Sequence, residues 1–200
     1  MENAKSNHQG DIEILDDTDR VWDKFWEHID KAEDLVFVAT YDMDHKLIAA
    51  MTLQKLTSAA RRGVKVVLVI DDLNYYPSST DVAALKEQGG IVIKNNPFHR
   101  AYEHVQNGCY QKFFNRNHQK VMLVDNHVFC GSLNVADPYS GARYGDGSFR
   151  DLNIILRNQD AKGVRDFFLD LLIQNKKYYP ELLKEDELYL MFADLDLKYK

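Results

Sequence analysis

The first half of the chain alternates fully apolar segments with amphipathic ones. Apolar runs at residues 35–41, 64–70 and 91–94 have the length of buried strands. Residues 44–63 and 80–88, between these runs, have the spacing of helices that end at glycine. An earlier helix carries an apolar stripe formed by Val21, Trp22, Phe25, Trp26 and Ile29. Strands that alternate with helices at this rhythm predict a parallel sheet covered by helices.

The second half predicts further strands around a polar loop. Residues 118–125 and 127–131 alternate as half-buried strands do, residues 151–157 form another apolar strand, and an amphipathic helix capped by Asp160 follows. Residues 96–117 have no clear period, and a connection of this length is usually functional or disordered. Together the patterns predict an α/β fold with a mixed, largely parallel sheet flanked by helices.

The same patterns divide the chain into three parts. Residues 1–12 are expected to be disordered, residues 13–178 form the predicted domain, and residues 179–200 form a C-terminal tail whose apolar content allows a helix. A chain of 200 residues is long enough to bury a core without disulfides or metals.

Composition and charge narrow the function classes. A net charge of −6 argues against broad, sequence-blind binding to nucleic acid, which requires a basic surface, but it allows a local basic pocket for a phosphate. Cys109 and Cys130 lack metal-ligand spacing and suggest no disulfide framework, which favours a reducing compartment. No apolar run approaches 18 residues, and the N terminus resembles neither a signal nor a transit peptide. We therefore expect an intracellular protein without a transmembrane helix.

Two polar side chains interrupt the apolar alternation of the predicted strand 118–125. In a strand His118 and Lys120 point the same way, about 7 Å apart, whereas Asp125 points to the other face. A neutral imidazole can attack phosphorus while a cation holds the non-bridging oxygens, so this pair suits a phosphoryl centre. Ser132 and Asn134, on the turn that follows, offer further hydrogen-bond donors.

An acidic residue follows the glycine-rich loop at the head of the strand 151–157. The carboxylate of Asp151 could accept the second N–H of the imidazole and fix its tautomer. This chemistry requires neither a metal nor a cofactor. Asp71 and Asp72 are adjacent carboxylates and resemble a metal site in the sequence, but we interpret them as the polar start of a loop.

The segment HQKVMLVD (118–125) fits the H-x-K-x4-D motif of the phospholipase D superfamily. GSLN (131–134) stands where that family has its G-(G/S)-x-N extension. The likeness runs from about residue 13 to 175, where LTSAARRGVKVVLVIDD and FRDLNIIL, among other segments, resemble the N-terminal half of a phospholipase D-type cardiolipin synthase. The resemblance therefore implies a phospholipase D-like half domain.

The resemblance also implies a role for each candidate site residue. His118 matches the motif histidine, which forms a phosphohistidine intermediate or protonates the leaving alcohol, and Lys120 matches the phosphate-binding lysine. Ser132 and Asn134 match the polar residues that line the phosphate pocket. Asp151 resembles the acidic residue that orients the histidine.

The motif aspartate has a different expected role. Asp125 completes the motif. Because successive side chains of a strand point to opposite faces, Asp125 points away from His118, and we expect it to be structural. The interval from Asp125 to the GSLN turn is one residue shorter than in many bacterial synthases, which would shift Ser132 slightly.

The family builds its active site from two such motifs, and this sequence contains one. None of the other six histidines is followed two residues later by lysine. A homodimer partner or a second half would supply the missing motif. The resemblance then implies a phosphatidyltransferase or phosphodiesterase that acts on a phosphatidylglycerol-like phospholipid in peripheral contact with a membrane.

Two alternatives stay open. A homodimeric phosphodiesterase or nuclease would need a basic cleft for the nucleic-acid backbone, which the net charge disfavours. An isolated half would bind phospholipid or a partner without turnover.

Overall fold

Seven strands form one sheet with helices on both faces in the part of the chain that the computed structural model describes, residues 12–97, 105–108, 116–145, 147, 149, 151–157, 159–180, 182 and 184–199. In chain order the elements are β1 (Ile12–Leu15), α1 (Thr18–Lys31), β2 (Leu35–Thr40), α2 (Leu47–Arg61), β3 (Lys65–Asp71), α3 (Ser79–Glu87), β4 (Ile91–Asn95), β5 (Val121–Val124), β6 (His127–Cys130), α4 (Gly141–Tyr144), β7 (Asn153–Arg157), α5 (Gln159–Lys176) and α6 (Glu185–Lys198).

The sheet combines a parallel part with an antiparallel part in the order β1-β7-β6-β5-β2-β3-β4. β2, β3 and β4 are parallel, because α2 and α3 return the chain to the same edge after each strand. The other four pairings are antiparallel. The predicted mixed α/β fold is confirmed, but its parallel part is smaller than predicted. A tight turn joins β5 to β6, and the described residues of the loop from β6 to β7 contain no helix longer than the four-residue α4.

The interior strand β2 lies between two hydrophobic cores. All six of its residues are buried, and they alternate between the two faces of the sheet. Val36 and Val38 join the core formed with α1, α2 and α3, whereas Phe37 faces α5 and α6 and stacks on Phe168 with ring centroids 3.8 Å apart. The fold therefore has three layers, with the sheet in the middle.

The first helix fixes the loop that precedes β7. Its predicted apolar stripe is buried, as the helical spacing required. The Trp22 Nε1–H donates to the Tyr139 carbonyl oxygen at 2.7 Å, and the Trp26 Nε1–H donates to Thr52 Oγ1 at 3.1 Å. The first bond holds the glycine-rich segment against α1, and the second joins α1 to α2.

The ends of the predicted elements differ in places from the structure. The predicted disordered segment 1–12 lies outside the described residues except for Ile12, which begins β1. Asp160, predicted as a helix cap, lies inside α5. Much of the connection 96–117 also lies outside the described residues.

The C-terminal residues 185–198 form α6, which packs on the second core. Leu188, Phe192 and Leu195 are its buried residues, and they belong to the same cluster as Phe168 of α5. The predicted domain boundary at residue 178 stays a prediction. Among the helices that the structure describes, none has the length and apolarity needed to cross a bilayer.

Candidate active site

The segment 116–120 leads into β5 and is anchored to the end of β3. The backbone N–H of Asn117 donates to Asp71 Oδ2 at 3.1 Å, and Arg116 Nη1 lies 3.4 Å from Asp71 Oδ1. Asp71 is fully buried, so its carboxylate is a structural acceptor in the interior of the protein. The regular strand begins at Val121, whereas the prediction began it at His118.

His118 and Lys120 lie side by side in this segment. The Lys120 ammonium Nζ is 3.2 Å from His118 Nδ1 and donates to the His118 carbonyl oxygen, also at 3.2 Å. Both side chains face one cleft of about 390 Å³, lined by His118, Lys120, Gly131, Ser132, Tyr139, Phe149 and Asp151. The structure therefore brings together four of the predicted site residues, His118, Lys120, Ser132 and Asp151.

The charge of Lys120 is partly withdrawn from water. Burial lowers the pKa of its ammonium, and the carboxylates of Asp151 and Asp42 oppose that change. Burial and the nearby Asp44 raise the pKa of Asp42, while Lys120 acts in the opposite direction. Because the local dielectric is lower than that of water, this cation will attract a phosphate more strongly than an exposed lysine would.

The two residues that directly follow β2, Tyr41 and Asp42, contribute to the site. They were not predicted from the sequence. The Tyr41 ring lies against His118, with centroids 4.6 Å apart, and Lys120 Nζ is 5.6 Å from the centroid of the Tyr41 ring. Asp42 adds a carboxylate near Lys120. The only sequence signal was their place directly after a buried strand, where polar residues often belong to a site.

The turn after β6 approaches β7 closely. A Cβ atom added to Gly131 would lie 1.8 Å from Asn153 Oδ1, so any larger residue would force the buried Asn153 side chain to move. Asp151, two residues before Asn153, faces the cleft, and its Oδ1 accepts from the Leu152 N–H at 3.1 Å. Within the described residues no hydrogen bond joins Asp151 to His118.

Asn134 lies behind the cleft instead of lining it. It is buried, and its Oδ1 accepts from the Asp42 N–H at 3.2 Å and from Thr40 Oγ1 at 3.4 Å. Asn134 therefore ties the GSLN turn to the end of β2, next to Tyr41 and Asp42.

Asp125 lies at the far end of β5, in the turn to β6. Its carboxylate accepts from the backbone N–H groups of Glu33, Asp34 and Leu35 at 2.9–3.1 Å, and its own N–H donates to the Leu35 carbonyl oxygen at 2.8 Å. The motif aspartate thus joins β5 to the start of β2 and does not reach the cleft.

The described residues contain no group of three or more His, Cys, Asp and Glu side chains arranged to hold a metal ion. The Asp71 carboxylate, half of the pair that resembles a metal site in sequence, accepts from Asn117 and Leu73 backbone N–H groups.

Comparison with known proteins identifies one family consistently. A family model described as cardiolipin synthase, PLD-like domain matches residues 25–164. A cardiolipin synthase from Clostridium perfringens strain 13 is 27% identical over 188 residues, which cover 89% of this chain and 38% of that protein. A cardiolipin synthase from Geobacillus kaustophilus is 25% identical over 158 residues, covering 78% of this chain and 30% of that protein. The chain spans less than two-fifths of the length of these synthases.

Two solved structures share the fold. Nuc from Salmonella typhimurium, a phospholipase D family member, superposes with a TM-score of 0.54 at 18% identity, covering 80% of this chain and 91% of that one. Phosphatidylserine synthase from Haemophilus influenzae gives a TM-score of 0.52 at 13% identity, covering 74% of this chain and 33% of that one. The family match over 25–164 and the shared fold agree: the chain belongs to the phospholipase D superfamily, in the family of cardiolipin synthase PLD-like domains.

Proposed function

We propose that this chain supplies one half of a phospholipase D-type active site that cleaves or transfers a phospholipid phosphodiester, as a cardiolipin synthase-like enzyme. The observation that carries the proposal is the joint position of His118, Lys120, Ser132 and Asp151 on one cleft, with Lys120 Nζ 3.2 Å from His118 Nδ1. An imidazole nucleophile, a partly desolvated cation and a hydroxyl donor are the groups that phosphoryl transfer through histidine requires.

In the proposed first step, His118 attacks the phosphorus of the diester. A P–N bond forms as the P–O bond to the leaving alcohol breaks, and the histidine of the second motif gives that alcohol its proton. Lys120 and Ser132 hold the non-bridging oxygens. Asp151 would orient His118 once its carboxylate turns from the Leu152 N–H towards the imidazole.

In the proposed second step, water or another alcohol attacks the phosphohistidine. The P–N bond breaks, and the histidine of the second motif accepts the proton of the attacking hydroxyl. Water gives hydrolysis, whereas a second phosphatidylglycerol-like lipid gives phosphatidyl transfer. Such a lipid would be reached by peripheral contact with a membrane.

The second motif comes from a homodimer partner or from another half. The span of this chain, less than two-fifths of the cardiolipin synthases it matches, supports a half. A homodimer is the alternative, in which a second copy of this chain supplies its own His118 and Lys120.

The His118→Asn variant tests the proposal. With phosphatidylglycerol vesicles as substrate, and the second motif present, we expect turnover to fall at least about a thousandfold, because no nucleophile remains. Binding to the vesicles should persist. His45→Asn is the matched control, since His45 is exposed and lies outside the residues that line the cleft. Retained turnover in His118→Asn would overturn the proposal.

A homodimeric phosphodiesterase that acts on nucleic acid is the second candidate. The single motif of this chain fits it, because two copies would complete the site, whereas the net charge of −6 opposes it. Cleavage of a single-stranded oligonucleotide with no activity on vesicles would favour this candidate. A half that only binds would show no turnover even without the substitution and with the second motif present, and its binding to vesicles would be the same before and after His118→Asn.

A further inference from the structure

His118 also borders a second cleft, of about 640 Å³. Among the described residues, His118 is the only one that the two clefts share. The volume lies in the range of clefts that hold small molecules. A group bound there would therefore be adjacent to any phosphorus that His118 attacks.

Carboxamide side chains dominate the wall of this second cleft, which we call the amide cleft. Phe167 and Leu171 supply apolar surface, and Arg116 is engaged with Asp71 and with the Asn96 carbonyl oxygen. None of the described lining residues is acidic. The carboxamides are those of Asn95, Asn96, Asn117, Gln119 and Gln174.

Two of these carboxamides have buried atoms without a hydrogen-bond partner among the described residues. Asn117 is 8% exposed, and its Oδ1 accepts from the Gln119 N–H at 3.3 Å, which fixes the amide orientation and leaves Nδ2 as an unpaired donor. Gln119 Oε1 is an unpaired buried acceptor. Such groups are costly to leave unpaired, so native proteins usually pair them or use them for binding.

An unpaired donor on Asn117 and an unpaired acceptor on Gln119, two residues later in the same segment, match a hydroxyl group, which both accepts and donates. An ammonium-bearing group would meet no described carboxylate in the lining, and an anionic group would meet only an arginine that is already paired with Asp71. We infer that the amide cleft binds the uncharged, polyhydroxylated alcohol of the substrate, with Asn117 and Gln119 as its specificity-determining residues. This inference rests on the proposed function, because it places the alcohol beside the His118 that would attack the phosphorus.

Binding of soluble diesters tests the inference without requiring a complete active site. The probes are glycerophosphoglycerol and diethyl phosphate, which carry the same charge but differ in their hydroxyl groups. By calorimetric titration we expect glycerophosphoglycerol to bind about three- to tenfold more tightly for each hydrogen bond gained. Gln119→Met should remove one such factor from the ratio of the two affinities. Asn117→Asp, which keeps Oδ1 but loses the Nδ2 donor, should remove another, because the added charge repels both anionic diesters alike and cancels in the ratio.

Controls separate the inference from the proposed function. Gln54→Met makes the same exchange on an exposed position of α2 and should leave both affinities unchanged. Lys120→Met should weaken both diesters alike. Binding of neither diester would overturn the proposed function and the inference with it, whereas equal binding of both would overturn the inference alone.

A third probe tests whether the amide cleft recognises a nucleobase instead, since carboxamides also bind nucleobases. A thymidine dinucleotide that binds more tightly than glycerophosphoglycerol, and loses this advantage in Gln119→Met, would overturn the assignment to a polyol. Thermal unfolding of each variant establishes that it is folded. If Asn117→Asp is unfolded, Gln119→Met alone decides the outcome.

Discussion

At the scale of single residues, Lys120 determines how the site should respond to pH. Only the protonated ammonium attracts a phosphodiester, and burial lowers its pKa below the ordinary value of 10.5. Affinity for diethyl phosphate should therefore fall as the pH rises through this lowered pKa, earlier than for an exposed lysine. In Lys120→Arg the loss should move to higher pH, because a guanidinium stays protonated.

Titrations of the wild type and of Lys120→Arg between about pH 7 and 10 check this expectation. Lys55→Arg, which changes a lysine of α2 that is paired with Asp30 and does not line the cleft, is the control. Identical pH profiles for Lys120→Arg and the wild type would show that another group controls binding.

The residues of the site differ in how far the sequence could predict them. His118 and Lys120 are two positions apart, so a local pattern placed them on one side, and the structure brings both to one cleft. Tyr41 and Asp42 reach the same place only because β2 pairs with β5, and no local pattern contains that pairing. Asn134 illustrates the opposite case, since its motif position predicted a pocket residue and its side chain is turned inward.

At the scale of elements, the Asp125 carboxylate links two strands that are distant in sequence. It accepts three backbone N–H groups at the start of β2, and its φ of +49° suits asparagine almost as well as aspartate. Asp125→Ala should lower the free energy of unfolding by about 2–3 kcal/mol, because several charge-assisted bonds are lost. Asp125→Asn, which keeps one acceptor oxygen and tolerates the backbone, should lower it less.

Urea unfolding measures these differences, with Asp194→Ala on the exposed side of α6 as the control. If Asp125→Ala has the same midpoint as Asp194→Ala, the carboxylate does not hold β2 to β5.

An element could be predicted from the sequence where the residues that determine it lie close together in the chain. The run from β2 to β4 was predicted because its strands are apolar on both faces and its helices end at glycine. β1 was missed because Ile12 and Ile14 are largely exposed, and only its pairing with β7 makes it a strand. The regular strand starts after Lys120 because Asp71 holds the preceding backbone, a contact between distant residues that periodicity cannot show.

At the scale of the whole molecule, activity should depend on the assembly of this chain with a second motif, because the sequence contains only one. We expect turnover only in species that contain two motifs, because the proposed mechanism needs a second histidine, opposite His118, to protonate the leaving alcohol. Light scattering coupled to size separation, with an assay of each fraction, should find activity at about twice the 23.2 kDa mass of the chain or in complex with another half. A 23.2 kDa fraction that turns over substrate would contradict the two-motif site.

The pairing of β1 with β7 has a consequence for synthesis of the protein on the ribosome. Ile12 pairs with Leu156, 144 residues later in the chain, so β1 waits roughly ten seconds for its partner at ordinary rates of translation. During that interval Ile12 and Ile14 lie on an unpaired strand, a state that invites chaperones or aggregation. Formation of β7 also positions Asp151, because this residue lies two positions before the strand begins. We therefore expect the cleft that His118 and Lys120 line to be completed among the last steps of biogenesis, and slowed elongation before codon 153 to lower the soluble yield.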